Sequence, residues 1–326
     1  MNPLDLTLET LSALIRNELD EPEALSLLAQ MTPERVNLPL LQQALTCMQE
    51  TALSVSIPAE AVLDCCGTGG SGLSHFNTST TAAFVLAAGG VPVVKFGNWG
   101  FSSASGSFDL LAQLGISHQL DPQRIPAVID ECKVAFLFAP ACYPALAGLA
   151  RLRKKLGQRT LFNFLGPLLN PVQPAYRLLG VSHAGMQDLM AEHLSQSSDC
   201  QHAWLVHGAD GLDEIAPHGP SRVLAVQQGT LHEFEPDTGN EIYALPVGEH
   251  PPAQNFKIFQ QLLSGADKTS VYYRMVCLNA GAGFLISGQV DTLEEGIRKT
   301  QTLLKSGAVT KTLEQCKRIH EQCQKT

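Results

Sequence analysis

The chain has 326 residues, 44% of them apolar and 16% charged, with a formal net charge of −9. That balance indicates a packed globular protein and argues against nucleic acid or an acidic membrane surface as its main partner. No apolar run reaches the roughly 18 residues that a spanning helix needs, and the opening MNPLDLTLET lacks a basic and an apolar leader segment, so neither a membrane span nor a signal peptide is expected.

Nine cysteines, odd in number and with no C-x-x-C pair, read as reduced, mostly buried thiols of a cytoplasmic protein. Residues 4–51 read as helices. Leu6, Leu8, Leu11, Leu14 and Ile15 form an apolar face, Pro22-Glu23-Ala24 opens a second helix, and residues 38–48 give a further one.

The stretch 64–106 reads as strand, glycine turn, helix, strand and a second small-residue loop. Val62-Leu63 lead into Gly67-Thr68-Gly69-Gly70-Ser71-Gly72. Asn77 to Thr80 offer N-caps for a helix over 81–88, and 91–95 is a short β-branched strand. Between Cys65 and Phe108 there is no Asp or Glu, and Lys95 is the only full positive charge. Backbone amides and a helix N-terminus with no carboxylate nearby suit phosphate or pyrophosphate. A dinucleotide fold would need an acid about 20 residues on, and a P-loop would need Gly-Lys-Ser/Thr; both are missing. A plain tight turn remains open, with glycine chosen for positive φ. The hydroxyl-rich loop Ser102–Ser107 favours the anion site.

Further on, 107–114 reads as a helix, 134–139 as a buried parallel strand and 144–155 as a helix with a basic end. Residues 163–171 form a Gly/Pro connector. Strands follow at 178–181 and 203–206 around a helix at 186–195. A strand pair at 223–237 comes next, then C-terminal helices at 290–306 and 310–325. The alternation predicts an α/β fold: a central, mostly parallel sheet flanked by helices, preceded by a small all-α domain. Expected domains are 1–60, joined by the helix near 144–156, and 61–326. Asp213-Glu214, in HGADGLDEI, is either a solvated acidic turn or a pair of hard oxygen ligands for magnesium.

The ordered motifs GTGG, FN-x-ST, K-x-GN, SS-x-SGS, FAP, LG-x-RT-x-FN-x-LGPL-x-NP and HG-x-DGLDE resemble those of the anthranilate phosphoribosyltransferase family, within the nucleoside-phosphorylase-like transferases. The resemblance runs from about 64 to 215, with a weaker echo over 279–307. It implies transfer of a phosphoribosyl group from 5-phosphoribosyl 1-pyrophosphate to an aromatic amine, with magnesium as cofactor, in a homodimer formed through the N-terminal helices. It implies a phosphoribosyl-pyrophosphate site at Gly67, Gly70, Ser71, His75, Asn77, Ser79, Thr80, Lys95, Asn98, Ser102, Ser103 and Ser107. The acceptor would meet Gly67, Phe96, Asn98, Trp99, Tyr143 and Arg153, and the metal Ser79, Asp213 and Glu214.

Four positions depart from that pattern. Ser71 stands where the family has Asp, Phe96 and Tyr143 where it has His, and Trp99 where it has Arg. Intact glycines and an intact Asp213-Glu214 favour a working transferase with altered acceptor recognition, whose pocket Phe96, Trp99 and Tyr143 would widen. The alternatives are a nucleoside phosphorylase, which would use inorganic phosphate without magnesium, and a non-catalytic relative that binds nucleotides or nucleic acid.

Overall fold

The computed structural model describes residues 6–53, 55, 57, 62–73, 76–100, 105–239, 241, 243–246, 250–265 and 267–325. Helices α1 (Leu8–Ile15), α2 (Glu21–Gln30) and α3 (Leu38–Gln49) open the chain. Each starts the same way: the side chain of Thr7, Asp20 or Asn37 accepts the backbone N–H three residues on, satisfying one of the orphan donors of a helix start. Leu11, Leu14 and Ile15 are buried, but Leu8 is 49% exposed, so it does not share the inward face expected of it.

Strand β1 (Leu63–Gly67) leads to α4 (Thr78–Ala88), β2 (Val93–Gly97), α5 (Ser107–Gln113), α6 (Ile125–Cys132) and β3 (Val134–Phe138). The strand predicted at 91–95 starts two residues later because Pro92 has no N–H to give to a ladder. Next come α7 (Ala139–Cys142), α8 (Leu146–Leu156), β4 (Tyr176–Gly180), α9 (Ala184–Ser195) and β5 (His202–Gly208). A hairpin of β6 (Ser221–Gln227) and β7 (Thr230–Phe234) follows. Gln228 and Gly229, both at positive φ, make its two-residue turn. The chain closes with α10 (Pro252–Ser264), α11 (Val271–Ile286), α12 (Leu293–Ser306) and α13 (Ala308–Lys325). Helices α6 and α10 are absent from the sequence-based expectations. Both carry proline in their first turn, where it starts a helix rather than breaking one.

The described strands form one sheet of seven in the order β3-β2-β1-β4-β5-β6-β7. Strands β1 to β5 run parallel, and β6 and β7 are antiparallel at one edge. The chain builds outward from β1 to β3 and then returns to β1's other side with β4. That reversal opens a crevice at the carboxyl ends of β1 and β4, where open α/β sheets take ligands. Helix α4 is buried all round, Ala82 to Leu86 at 0% exposure, against the sheet, α11 and α13. A helix apolar on every face sits inside a core, and α4 thus delivers its N-terminus to the crevice from within the protein.

Strands β1 and β2 share a single register pair, Leu63 with Val93, whereas β1 and β4 pair along five residues. Side chains satisfy the backbone groups where the ladder stops. Phe96 N–H donates to Asp64 Oδ1 at 3.3 Å, Asn170 Nδ2 to Val94 O at 2.8 Å, and Lys95 Nζ to Cys65 O at 2.6 Å. Asn170 Nδ2 also donates to Asp64 Oδ2 at 2.9 Å. Burial pushes the Asp64 carboxyl above its ordinary value, against the pull of Lys95, Asn170 and Arg177. A buried carboxylate in the sheet is tolerated because it is hydrogen-bonded and faces cations.

Candidate functional site

A cleft of about 530 Å³ opens at the crevice. Its floor is the glycine loop after β1. Gly69, Gly70 and Gly72 take φ of 65°, 70° and 76°, the left-handed region that glycine enters without strain. Gly67 is needed for a different reason: a Cβ there would lie 2.3 Å from Asp213 Oδ2.

The acidic pair braces this floor. Asp213 Oδ2 accepts the Gly69 N–H at 2.8 Å, and Glu214 Oε1 accepts the Ser79 N–H at 3.2 Å at the start of α4. Both acids are buried, at 5% and 7% exposure, and both line the cleft. Among the described residues no group of three or more His, Cys, Asp or Glu side chains could enclose a metal. Two hard carboxylates beside a hydroxyl do fit magnesium, which keeps water and substrate oxygens in its remaining positions.

The second wall follows β2. Ser107 Oγ donates to Asn98 O at 3.2 Å, and Asp109 Oδ2 accepts the N–H groups of Gly100 and Gly106 at 2.8 and 2.7 Å. Ser105 Oγ donates to Asn77 Oδ1 at 3.2 Å, tying this loop to the entry of α4. Asn77 is held from the other side by α10: its N–H donates to Asn255 Oδ1 at 2.9 Å, and Asn255 Nδ2 donates to His250 O at 2.7 Å.

Helix α8 supplies the third wall. Leu146, Ala147, Ala150 and Arg153 all line the cleft, at the three- and four-residue spacing that puts side chains on one helix face. Burial lowers the Arg153 guanidinium to about 10, which still leaves it charged at neutral pH.

Of the residues expected at a site, Gly67, Gly70, Ser71, Asn77, Ser79, Thr80, Lys95, Phe96, Asn98, Trp99, Ser107, Arg153, Asp213 and Glu214 line this one cleft. His75, Ser102 and Ser103 lie outside the described residues. Tyr143 is a correction. It is 1% exposed, is not part of the cleft wall, and donates its hydroxyl to Leu169 O at 2.6 Å. Its ring meets Phe96 edge-on at 5.9 Å and 84°, so it supports the wall from behind rather than widening the pocket. Phe96 is itself 4% exposed, whereas Trp99 is 36% exposed and leans on Phe108, His118 and Phe138. Ser71 Oγ bonds within its own loop, to the N–H and C=O of Leu73, both at 3.2 Å.

Sequence reasoning missed Arg159, Ser182, Asp109 and Asn255. Arg159 stands inside the LG-x-RT motif, a signal that was available; Asn255 sits in no motif. The nine cysteines are all free, and all but the half-buried Cys323 are buried. Burial pushes the Cys65 thiol up to about 12, which removes it from nucleophilic chemistry.

Residues 59–310 match the family described as Glycosyl transferase family, a/b domain. The chain is 38% identical over 316 residues to anthranilate phosphoribosyltransferase of Laribacter hongkongensis, covering 95% of this chain and 92% of that one. It is 34% identical to the Nitrosomonas europaea protein of the same name, over 96% and 92%. Among solved structures, anthranilate phosphoribosyltransferase from Thermus thermophilus superposes with a TM-score of 0.85 at 34% identity, covering 96% of this chain and 94% of that one. The Saccharomyces cerevisiae protein in complex with PRPP and Mg gives 0.84 at 26% identity, covering 97% and 91%.

Proposed function

The chain belongs to the anthranilate phosphoribosyltransferase family, and from that premise we propose that it transfers the phosphoribosyl group of 5-phosphoribosyl 1-pyrophosphate to the amine of anthranilate or a related aromatic acid. The observation that carries the reading is the single cleft that joins the carboxylate-free glycine loop, the start of α4, Asp213-Glu214 and Arg153. The relatives support this transferase and neither a phosphorylase nor a non-catalytic role.

In the reaction the amine nitrogen bonds to the anomeric carbon as the bond from that carbon to the pyrophosphate oxygen breaks, and the nitrogen then loses a proton. The chemistry asks for alignment and for neutralisation of the departing pyrophosphate more than for a strong base. The glycine-loop amides, the α4 N-terminus and Lys95 offer donors and positive charge to the phosphates. Asp213, Glu214 and Ser79 would hold magnesium, which supplies charge neutralisation to the leaving group. Arg153 meets the acceptor carboxylate with a charge-assisted hydrogen bond. The apolar face of α8 beside it excludes water and takes the ring.

Three further parts belong to this proposal: a helical unit of residues 1–60 joined by the segment near 144–156, a homodimer through the N-terminal helices, and residence in the cytoplasm. Helix α2 does meet α8, where Glu21 pairs with Lys155 and Arg151. Among the described residues no helix is long and apolar enough to cross a membrane. Calorimetric titration with phosphoribosyl pyrophosphate, with and without magnesium, tests the core of the reading. Binding that magnesium strengthens supports it, and no binding in either condition overturns it.

A further inference from the structure

Arg159 is not part of the cleft wall, yet it reaches the glycine loop from behind. Its Nη2 donates to Gly69 O at 3.2 Å and to Ser182 Oγ at 2.6 Å. The Ser182 hydroxyl donates to the same Gly69 carbonyl at 2.7 Å, and Ser182 N–H donates to Thr68 Oγ1 at 3.1 Å. The guanidinium lies 4.8 Å from the centre of the buried Phe164 ring, a cation–π contact that fixes its plane. Gly69 lines the cleft, whereas Arg159 and Ser182, the two donors to its carbonyl, do not. The peptide plane is trans, so the N–H of Gly70, at its other end, points the opposite way. Gly70 is a cleft residue.

We infer that Arg159 is a positioning residue that pins the Gly69–Gly70 peptide with its amide, and not its carbonyl oxygen, toward the anion. The inference rests on the reading of the cleft as the phosphoribosyl-pyrophosphate site. A flipped peptide would aim a partial negative charge at the phosphates, the opposite of what the loop needs. The arrangement carries a cost: Arg159 Nε is buried without a hydrogen-bond partner, and burial lowers the guanidinium while Asp213 draws it back up. The loop itself is shaped around this contact. A Cβ on Gly70, at φ +70°, would lie 2.9 Å from Arg159 Nη2.

The test is calorimetric titration of the full chain with phosphoribosyl pyrophosphate and magnesium, comparing wild type with Arg159→Ala and Arg159→Lys. Loss of the charge-assisted hydrogen bonds should weaken affinity about tenfold or more in Arg159→Ala. Lysine keeps the charge but loses the flat fork, and should lose about threefold. The stoichiometry separates positioning from folding: a positioning role raises Kd at unchanged stoichiometry, and a purely structural role lowers the binding-competent fraction at unchanged Kd. Wild-type affinity in Arg159→Ala overturns this inference alone. No binding by wild type overturns it together with the reading of the cleft. Should Arg159→Ala fail to fold, Arg159→Lys decides, and unchanged affinity there overturns the inference.

Discussion

Asp213 Oδ2 lies 2.8 Å from the backbone nitrogen of Gly69, 144 residues away in sequence, and accepts its N–H. Glu214 does the same for Ser79. The acidic pair therefore shapes the glycine loop and the α4 entry as well as offering oxygens to a cation. Changing both acids to Ala should abolish the effect of magnesium on phosphoribosyl-pyrophosphate binding and destabilise the fold by about 1–3 kcal/mol through the two orphaned amides. Calorimetry with and without magnesium checks the first part, chemical denaturation the second. A double variant that still responds to magnesium removes these residues as ligands.

Arg153 shares the cleft face of α8 with Leu146 and Ala150. Arg153→Ala should raise the acceptor KM roughly ten- to a hundredfold, the equivalent of about 1.5–3 kcal/mol for a hydrogen bond to a charged group. Phosphoribosyl-pyrophosphate affinity should stay within twofold. Equal losses for both substrates would mean that Arg153 supports the whole cleft rather than the acceptor.

Of the three aromatic departures, Phe96 and Trp99 line the cleft and Tyr143 does not. Phe96→His with Trp99→Arg should therefore raise anthranilate turnover, while Tyr143→Phe should leave acceptor choice alone. Tyr143→Phe also loses the hydroxyl bond to Leu169 O and should cost about 1 kcal/mol of stability. Efficient anthranilate turnover by the natural sequence, unchanged by the double substitution, would show that the departures do not select the acceptor.

His320 is 1% exposed, with both ring nitrogens buried and without hydrogen-bond partners. Burial holds its imidazole down at about 4, against an ordinary 6.5. The unfolded chain binds this proton more readily, so stability is full above pH 6.5 and falls as pH drops toward 4, by about 2 kcal/mol at pH 5. His320→Leu should raise the melting midpoint at pH 5 more than at pH 7.5. Parallel shifts at both pH values would rule His320 out as the source of acid sensitivity.

Leu8 projects from α1 at 49% exposure. If the N-terminal helices form the homodimer, light scattering at micromolar concentration should give twice the chain mass, and Leu8→Asp should shift it toward one. A wild-type monomer ends that part of the proposal.

The alternation of apolar strands with helices, the opening of α4 within Asn77 to Thr80, and the order of short motifs were legible without coordinates, because each depends on residues within a few positions of one another. The glycine loop could be read as an anion site from what it lacks, since the absence of Asp and Glu over 65–108 is a local property. What the tertiary structure decided is everything that depends on distant partners. Tyr143 and Phe96 look equivalent as aromatic replacements, yet only packing places one in the wall and the other behind it. The split between β1 and β2 is filled by Asp64 and Asn170, 106 residues apart, and no local pattern announces it. The LG-x-RT motif marks Arg159 but not its partner. Its hold on Gly69, 90 residues earlier, exists because the sheet brings the ends of β1 and β4 together and leaves the guanidinium between them.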